Sequence, residues 1–235
     1  MKKNYSQVLC LILLQCLFVK SAVSQDSLAT KVELNVGIDF ASQYVWRGLV
    51  LTEGPVIQST AEITLNNWNF GLWGSVSLMA RENKELDAYL NYNFKNFEFT
   101  VIDYFVYSDS LTPSYFKYQK ENSAHTIEIT GAFADLEKFP FRFLAGVNVF
   151  GDSTNSTYFE AAWCKQLGQT DVELVAGYTP QTGYYDESKN GFTTIGANFH
   201  REITLNEQIA LNLKFSVFYS PLIKQTHFAI IIGLY

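Results

Sequence analysis

From Val32 onward the chain alternates apolar and polar residues with period two. Val32, Leu34, Val36, Ile38 and Phe40 share one face, and Glu33, Asn35 and Asp39 share the other. Beyond the connection 44–55, Ile57, Ala61, Ile63 and Leu65 alternate with Gln58, Thr60, Glu62 and Thr64. Alternation of this length predicts two long strands, each with one apolar and one wet face. Carried on at the same period, the wet face of the first strand reaches Arg47 in the peptide Tyr44-Val45-Trp46-Arg47-Gly48.

The pattern recurs to the end of the chain. Leu86, Ala88, Leu90, Tyr92 and Phe94 alternate with Asp87, Tyr89, Asn91 and Asn93, and similar runs cover 70–78, 97–107, 123–133, 141–150, 157–166, 171–179, 192–203, 208–219 and 226–235. That makes twelve predicted strands of roughly nine to eleven residues, the length a tilted strand needs to cross a hydrocarbon layer. The connections alternate between short turns, such as Asn66-Asn67 and Lys95-Asn96, and longer loops, such as 44–55, 108–122 and 180–191. An even strand number with turns at one end and loops at the other predicts an all-β fold, a transmembrane antiparallel up-and-down β-barrel of about 12 strands. Tyr107, Phe150, Tyr178 and Tyr219 fall where one aromatic girdle belongs, and Trp68, Phe94, Phe97, Phe139 and Trp163 where the other does. A soluble β-sandwich or lipocalin-like barrel shares the alternation, but its strands are nearer five or six residues and its outer face is charged.

Composition and charge fit that picture. Lys2 and Lys3 precede an apolar run from Val8 to Val19, and Ala22-Val23-Ser24 supplies small residues before Gln25. This predicts a cleaved signal peptide over 1–24 and a barrel over 25–235, exported to the outer membrane of a Gram-negative bacterium. No later stretch approaches the ~18 uninterrupted apolar residues of a helical span. Cleavage removes Cys10 and Cys16, so Cys164 has no internal partner for a disulfide. It also moves the net charge from −6 to −9, because Lys2, Lys3 and Lys20 leave with no acid. An acidic exported chain argues against nucleic acid or an anionic membrane surface as partner, and the barrel reading makes the outer-membrane lipid bilayer and small hydrophilic solutes the expected ones.

If the apolar faces meet lipid, the charges line the lumen. Asp39, Glu62, Asp87, Glu128, Glu160 and Glu173 are the expected inward acids, with Arg47, Arg142 and Lys214 as cations. Two readings follow: an aqueous path whose acidic excess favours cations, or a self-filled structural or ligand-binding barrel without an open pore. A surface hydrolase would need a nucleophile beside a histidine, and none of His125, His200 and His227 stands in such a pairing, so no catalytic residue is expected. No His/Cys/Asp cluster has metal-binding spacing, and no cofactor is implied.

The peptide Ser42-Gln43-Tyr44-Val45-Trp46-Arg47-Gly48, followed by Gly54-Pro55-Val56-Ile57-Gln58, resembles the S-x-Y-x-[FW]-R-G … P-x-x-Q signature of the TorF-type porin family, also known as the Gcw_chp conserved proteins. Thr100 to Tyr107 resembles a second strand of that family, with Tyr104-Phe105 in place of its glycine region. Gln43 stands where many members carry Asp. The resemblance implies a signal peptide, an outer-membrane barrel and a porin role. The last strand ends on Tyr235, the terminal aromatic that barrel-assembly machinery recognises. The whole reads as a channel for passive diffusion of small hydrophilic solutes, working without a covalent step.

Overall fold

The computed structural model describes residues 32–79, 84–107, 114–118, 123–206 and 209–235. The signal peptide expected over 1–24 lies outside these residues. The strands in chain order are β1 (Val32–Ala41), β2 (Tyr44–Trp46), β3 (Leu49–Thr52), β4 (Val56–Leu65), β5 (Trp68–Ser77), β6 (Lys84–Phe94), β7 (Phe97–Tyr107), β8 (His125–Ala134), β9 (Phe141–Phe150), β10 (Thr157–Leu167), β11 (Thr170–Thr179), β12 (Gly191–Asn206), β13 (Ile209–Ser220) and β14 (Gln225–Leu234). Twelve of them close an antiparallel barrel in which each strand neighbours the next, and β14 returns to β1. The other two, β2 and β3, pair only with each other.

Alternation sets which way each side chain points. Val32, Leu34, Val36, Ile38 and Phe40 are all exposed on the outside of β1. Their register partners on β4 include Leu65, Ile63, Ala61 and Ile57, so one apolar surface runs across the strand pair. The belt continues round the barrel through residues such as Phe70, Leu72, Phe99, Val101, Phe159, Leu174, Phe215 and Ile230. Trp68, Phe94, Phe97 and Phe139 are exposed near the short turns, and Tyr178 and Tyr219 near the long connections. The buried groups are largely polar: Gln58, Ser75, Asp87, Glu128, Asn148 and Ser216 are all under a tenth exposed and face inward.

The turns follow from local geometry. Asn66 (φ 53°), Lys95 (φ 55°) and Gly168 (φ 64°) take left-handed conformations at short connections, as tight hairpin turns require. Two elements differ from the sequence expectation. Strand β12 runs sixteen residues to Asn206, past the expected turn at 204–207. The connection 44–55, expected as a loop, is itself a hairpin, described below.

The barrel closes at its thinnest seam. Among the described residues, β1 and β14 share four register pairs, Ile38 to Ala41 with Leu234 to Ile231, against seven or more at every other barrel seam. Ser42 and Gln43 extend that seam beyond β1. The Ser42 N–H donates to the Ile230 carbonyl at 2.9 Å, the Ile230 N–H donates to Ser42 Oγ at 3.0 Å, and Gln43 Nε2 donates to the Phe228 carbonyl. Below the seam Tyr235 turns inward and donates to Asp39 at 2.8 Å. Its ring occupies the space a β-carbon on residue 37 would take, which only glycine leaves open. The apolar inner side of β14 is thereby filled: Ala229 is buried, and Gly233 lies against Asp39 and Tyr235.

Replacing Ser42 and Gln43 together by alanine removes two of these bonds, at about 1 kcal/mol each. The double variant should still fold, with a lower urea midpoint by circular dichroism. An unchanged midpoint would show that the four register pairs hold the seam alone.

Candidate functional site

The functional candidates converge where hairpin β2–β3 enters the barrel. Trp46 pairs with Leu49, so Arg47 and Gly48 form a two-residue turn. Both have positive φ, 50° and 83°, as the hairpin turn matching strand twist demands. Glycine suits the second position, and here it is also required by space, since a β-carbon on residue 48 would collide with the Thr193 carbonyl of β12. Arg47 holds its left-handed backbone at a cost of about 1–3 kcal/mol, so other contacts must over-determine it.

Those contacts are dense. Arg47 Nη1 and Nη2 donate to the two carboxylate oxygens of Glu128 on β8 at 2.7 and 3.0 Å, and Nη1 also donates to Tyr185 Oη at 2.6 Å. The guanidinium carbon lies 4.5 Å from the Trp46 ring centre and 4.2 Å from that of Tyr158 on β10. Trp46 stacks on Tyr185 at 5.8 Å and 12°, and Tyr158 stacks on the other side at 5.5 Å. Tyr104 on β7 donates to Glu128 at 2.8 Å. With the side chains of Arg47 and Glu128 only 10% and 1% exposed, removing either partner leaves a buried charge, a loss of ~3–5 kcal/mol.

The cage continues along the lumen. Tyr158 donates to Glu160 at 2.8 Å, and Arg142 bridges Glu160 and Glu173 at 3.0 Å each. Asn198 donates to Glu173 at 3.0 Å, and Ser216 to Asn198 at 2.7 Å. Lys214 acts on Glu173 from β13. Nearer the short turns, Tyr89 donates to Glu62 at 3.0 Å. Thus the structure places Asp39, Glu62, Asp87, Glu128, Arg142, Glu160, Glu173 and Lys214 on the inward side of their strands, and brings Arg47 to Glu128. It does not join them in one cluster: the cations gather at Glu128, Glu160 and Glu173, while Asp39, Glu62 and Asp87 lie on neutral donors.

Sequence reasoning missed several members. Tyr104, Tyr158 and Tyr185 complete the Arg47 cage, and nothing in their neighbourhoods marks them out from other strand and loop aromatics. Glu85 lies two residues before Asp87 on the same inward face and is 8% exposed. A second polar cluster sits outside the barrel wall. Asp103 and His125 share the outward register of β7 and β8. His125 Nδ1 lies 2.9 Å from Asp103, its Nε2 lies 2.6 Å from the Tyr115 carbonyl, and Tyr118 donates to Asp103 at 2.6 Å. An acid interrupting the apolar run of β7 is the signal that could have found it.

The Tyr185 arm is held by a neighbouring loop. Asp152 accepts from the Thr154 N–H (2.9 Å) and Oγ1 (2.7 Å), from Asn148 (3.0 Å) and from the Ser156 N–H (2.7 Å). Ser156 Oγ in turn accepts from the Tyr184 N–H at 3.2 Å. Partial burial pushes the Asp152 carboxyl up, but the Thr154, Asn148 and Ser156 donors outweigh it and hold it down at about 2. A depressed carboxyl contributes stability that is present above its unfolded value of about 3.9 and lost as pH falls through the folded one. Between pH 4 and pH 2 the loops 151–156 and 180–190 should therefore loosen, seen as faster amide exchange at Ser156 and Tyr184. In Asp152→Asn that exchange should be fast already at pH 5 and should lose most of its dependence on pH.

A family model described as "Bacterial protein of unknown function (Gcw_chp)" matches residues 25–219. No curated protein matches the chain. One of five matching solved chains comes from work named "Unveiling the Mechanism Behind the in-meso Crystallization of Membrane Proteins"; it is 8% identical, covers 87% of this chain and 83% of its own, and has a TM-score of 0.41, a likeness too slight to carry an argument. The family match spans most of the chain and includes the hairpin with its Trp46-Arg47-Gly48 turn, so the chain belongs to the Gcw_chp family of bacterial proteins.

Proposed function

We propose that the chain is exported by its signal peptide and spans the outer membrane of a Gram-negative bacterium. There it passes small hydrophilic solutes by diffusion along a lumen narrowed by hairpin β2–β3. The apolar outer belt supports the membrane setting, because a closed barrel leaves no strand edge unpaired in lipid. A porin role is also what the TorF-type resemblance implies. Assembly through the last strand, ending on Tyr235, belongs to the same reading, although the Tyr235 ring points into the lumen.

The observation that carries the channel reading is the hairpin's one-sided seat. Arg47 and Gly48 lean on β8, β10 and β12, and a cavity of about 340 Å³ remains between the hairpin and β5–β8. The lumen's charge balance supports cation preference. Arg47 and Arg142 meet Glu128, Glu160 and Glu173, with Lys214 inward on β13, which among the described residues leaves Asp39 and Glu62 on tyrosine hydroxyls, Asp87 on a backbone N–H and Glu85 beside Tyr44. Fixed carboxylates along a narrow aqueous path attract cations and repel anions.

A second reading, a closed ligand-binding barrel, is favoured by the number of contacts that hold Arg47. A hydrolase has less support. Both ring nitrogens of His125 are engaged, by Asp103 and by the Tyr115 carbonyl, and among the described residues no serine hydroxyl bonds to either.

Planar-bilayer recording of the purified, folded protein decides between the first two. A channel gives discrete conductance steps with cation preference; folded protein with no conductance overturns it in favour of the closed barrel. Arg47→Ala releases the hairpin's main anchor and should raise single-channel conductance severalfold while the barrel still migrates as a folded species in unheated gels. Loss of the folded species instead would show that the hairpin's anchor is needed for barrel assembly.

A further inference from the structure

The side of the lumen that the hairpin leaves free has its own chemistry. The cavity of about 340 Å³ is walled by the rings of Tyr44, Trp46, Tyr104 and Tyr184, with Glu85 on its β6 side. Glu85 is 8% exposed, and Asp87, next along the same inward face, is 2% exposed. The Tyr44 ring and Glu85 line the cavity together, and the Phe105 N–H donates to Asp87 at 3.3 Å. Among the described residues, neither carboxylate stands in an ion pair with a cation. Lys84 borders the cavity from the other register of β6, opposite the exposed Val76.

Elsewhere in this lumen the buried Glu128 is met by Arg47 and the half-buried Glu160 and Glu173 by Arg142, while Asp39 and Glu62, like the acids beside the cavity, have tyrosine or other neutral neighbours. Beside the cavity, among the described residues, Asp87 has a backbone N–H and Glu85 the neighbouring Tyr44, with no cation paired to either, although burial of a carboxylate calls for positive charge. Tyr44, Trp46, Tyr104 and Tyr184 supply aromatic faces among the aliphatic and hydroxyl-bearing groups of the other walls, and aromatic faces attract cations while offering nothing to an anion. A partly enclosed volume, aromatic faces on several sides and adjacent carboxylates agree on one kind of occupant.

We propose that this cavity binds a small organic cation, an amine or quaternary ammonium, caged by Tyr44, Trp46 and Tyr104 and neutralised by Glu85 with Asp87 behind it. The inference rests on the channel reading in that the solute reaches the cavity along the lumen. It names the class of solute the barrel selects.

Calorimetric titration of the full chain, folded in detergent, tests it with choline and its uncharged isostere 3,3-dimethylbutan-1-ol as probes. Choline should bind saturably and about tenfold or more tighter than the alcohol, since shape is shared and only charge differs. Glu85→Gln, checked for folded migration, should lose about tenfold in choline affinity and leave the alcohol unchanged. Equal binding of the two probes, no saturable choline binding, or a folded Glu85→Gln variant with undiminished choline affinity each overturns the assignment. The probe comparison needs only the unaltered protein, so it decides the matter even if the variant does not fold. Bilayer recording of the same preparation separates the two readings. Conductance without choline binding overturns the cavity's assignment and leaves the channel. Choline binding without conductance overturns the channel and leaves the cavity as a binding site.

Discussion

A guanidinium carried into the interior of a barrel is stable only where an acid and further acceptors wait for it, and the bidentate Arg47–Glu128 pair meets that need here. Much of the outer half of the lumen is arranged around it. The hairpin turn presents Arg47 with a left-handed backbone, Gly48 allows that turn to approach β12, and Tyr104 and Tyr185 supply the remaining polar contacts. The guanidinium carbon lies over the rings of both Trp46 and Tyr158, where cation–π attraction adds to ion pairing in a site screened from water. The family-like peptide Tyr44 to Gly48 is therefore an inserted element, and each of its polar or aromatic residues has a partner on the barrel wall.

The barrel itself was legible because one physical rule, period-two alternation, governs every strand. The hairpin was not. Extending the wet face of β1 by the same period brings Arg47 to the lumen side, but β1 ends at Ala41 and Arg47 arrives through a separate two-residue turn. Alternation carries no information on whether a connection projects outward or folds back. The inward acids were legible as positions but not as pairs, since Arg47 and Glu128 are 81 residues apart and meet only once the barrel is closed. Glu85 escaped notice for a simpler reason: the alternating run was read from Leu86, one residue beyond it. The structure starts β6 at Lys84, which puts Glu85 on the wall.

The outer surface shows the converse case. Asp103 breaks the apolar run of β7 on the belt side, where an unpaired carboxylate would be costly in lipid. The segment 114–118 supplies the compensation, with Tyr118 donating to Asp103 and stacking on His125 at 4.1 Å. Phe116, on the same segment, is among the most exposed apolar residues. The segment thus hides a polar pair with one set of side chains and presents an aromatic with another. Both are what a loop lying against the wall at a membrane interface needs.

These two insertions divide the barrel's outer half into unlike parts. On the β8–β12 side every acid of the Arg47 cage is met by a guanidinium, and the packed rings leave little freedom. On the β5–β8 side, Glu85 and Asp87 meet no guanidinium among the described residues, and a cavity lies beside them. The asymmetry follows from the hairpin carrying a single cation at its tip: Arg47 can neutralise one wall, and Glu128 has it. On the proposed channel reading, a solute would pass along the wall whose acids have no guanidinium among the described residues, and the hairpin would then also set the sign of what can follow it.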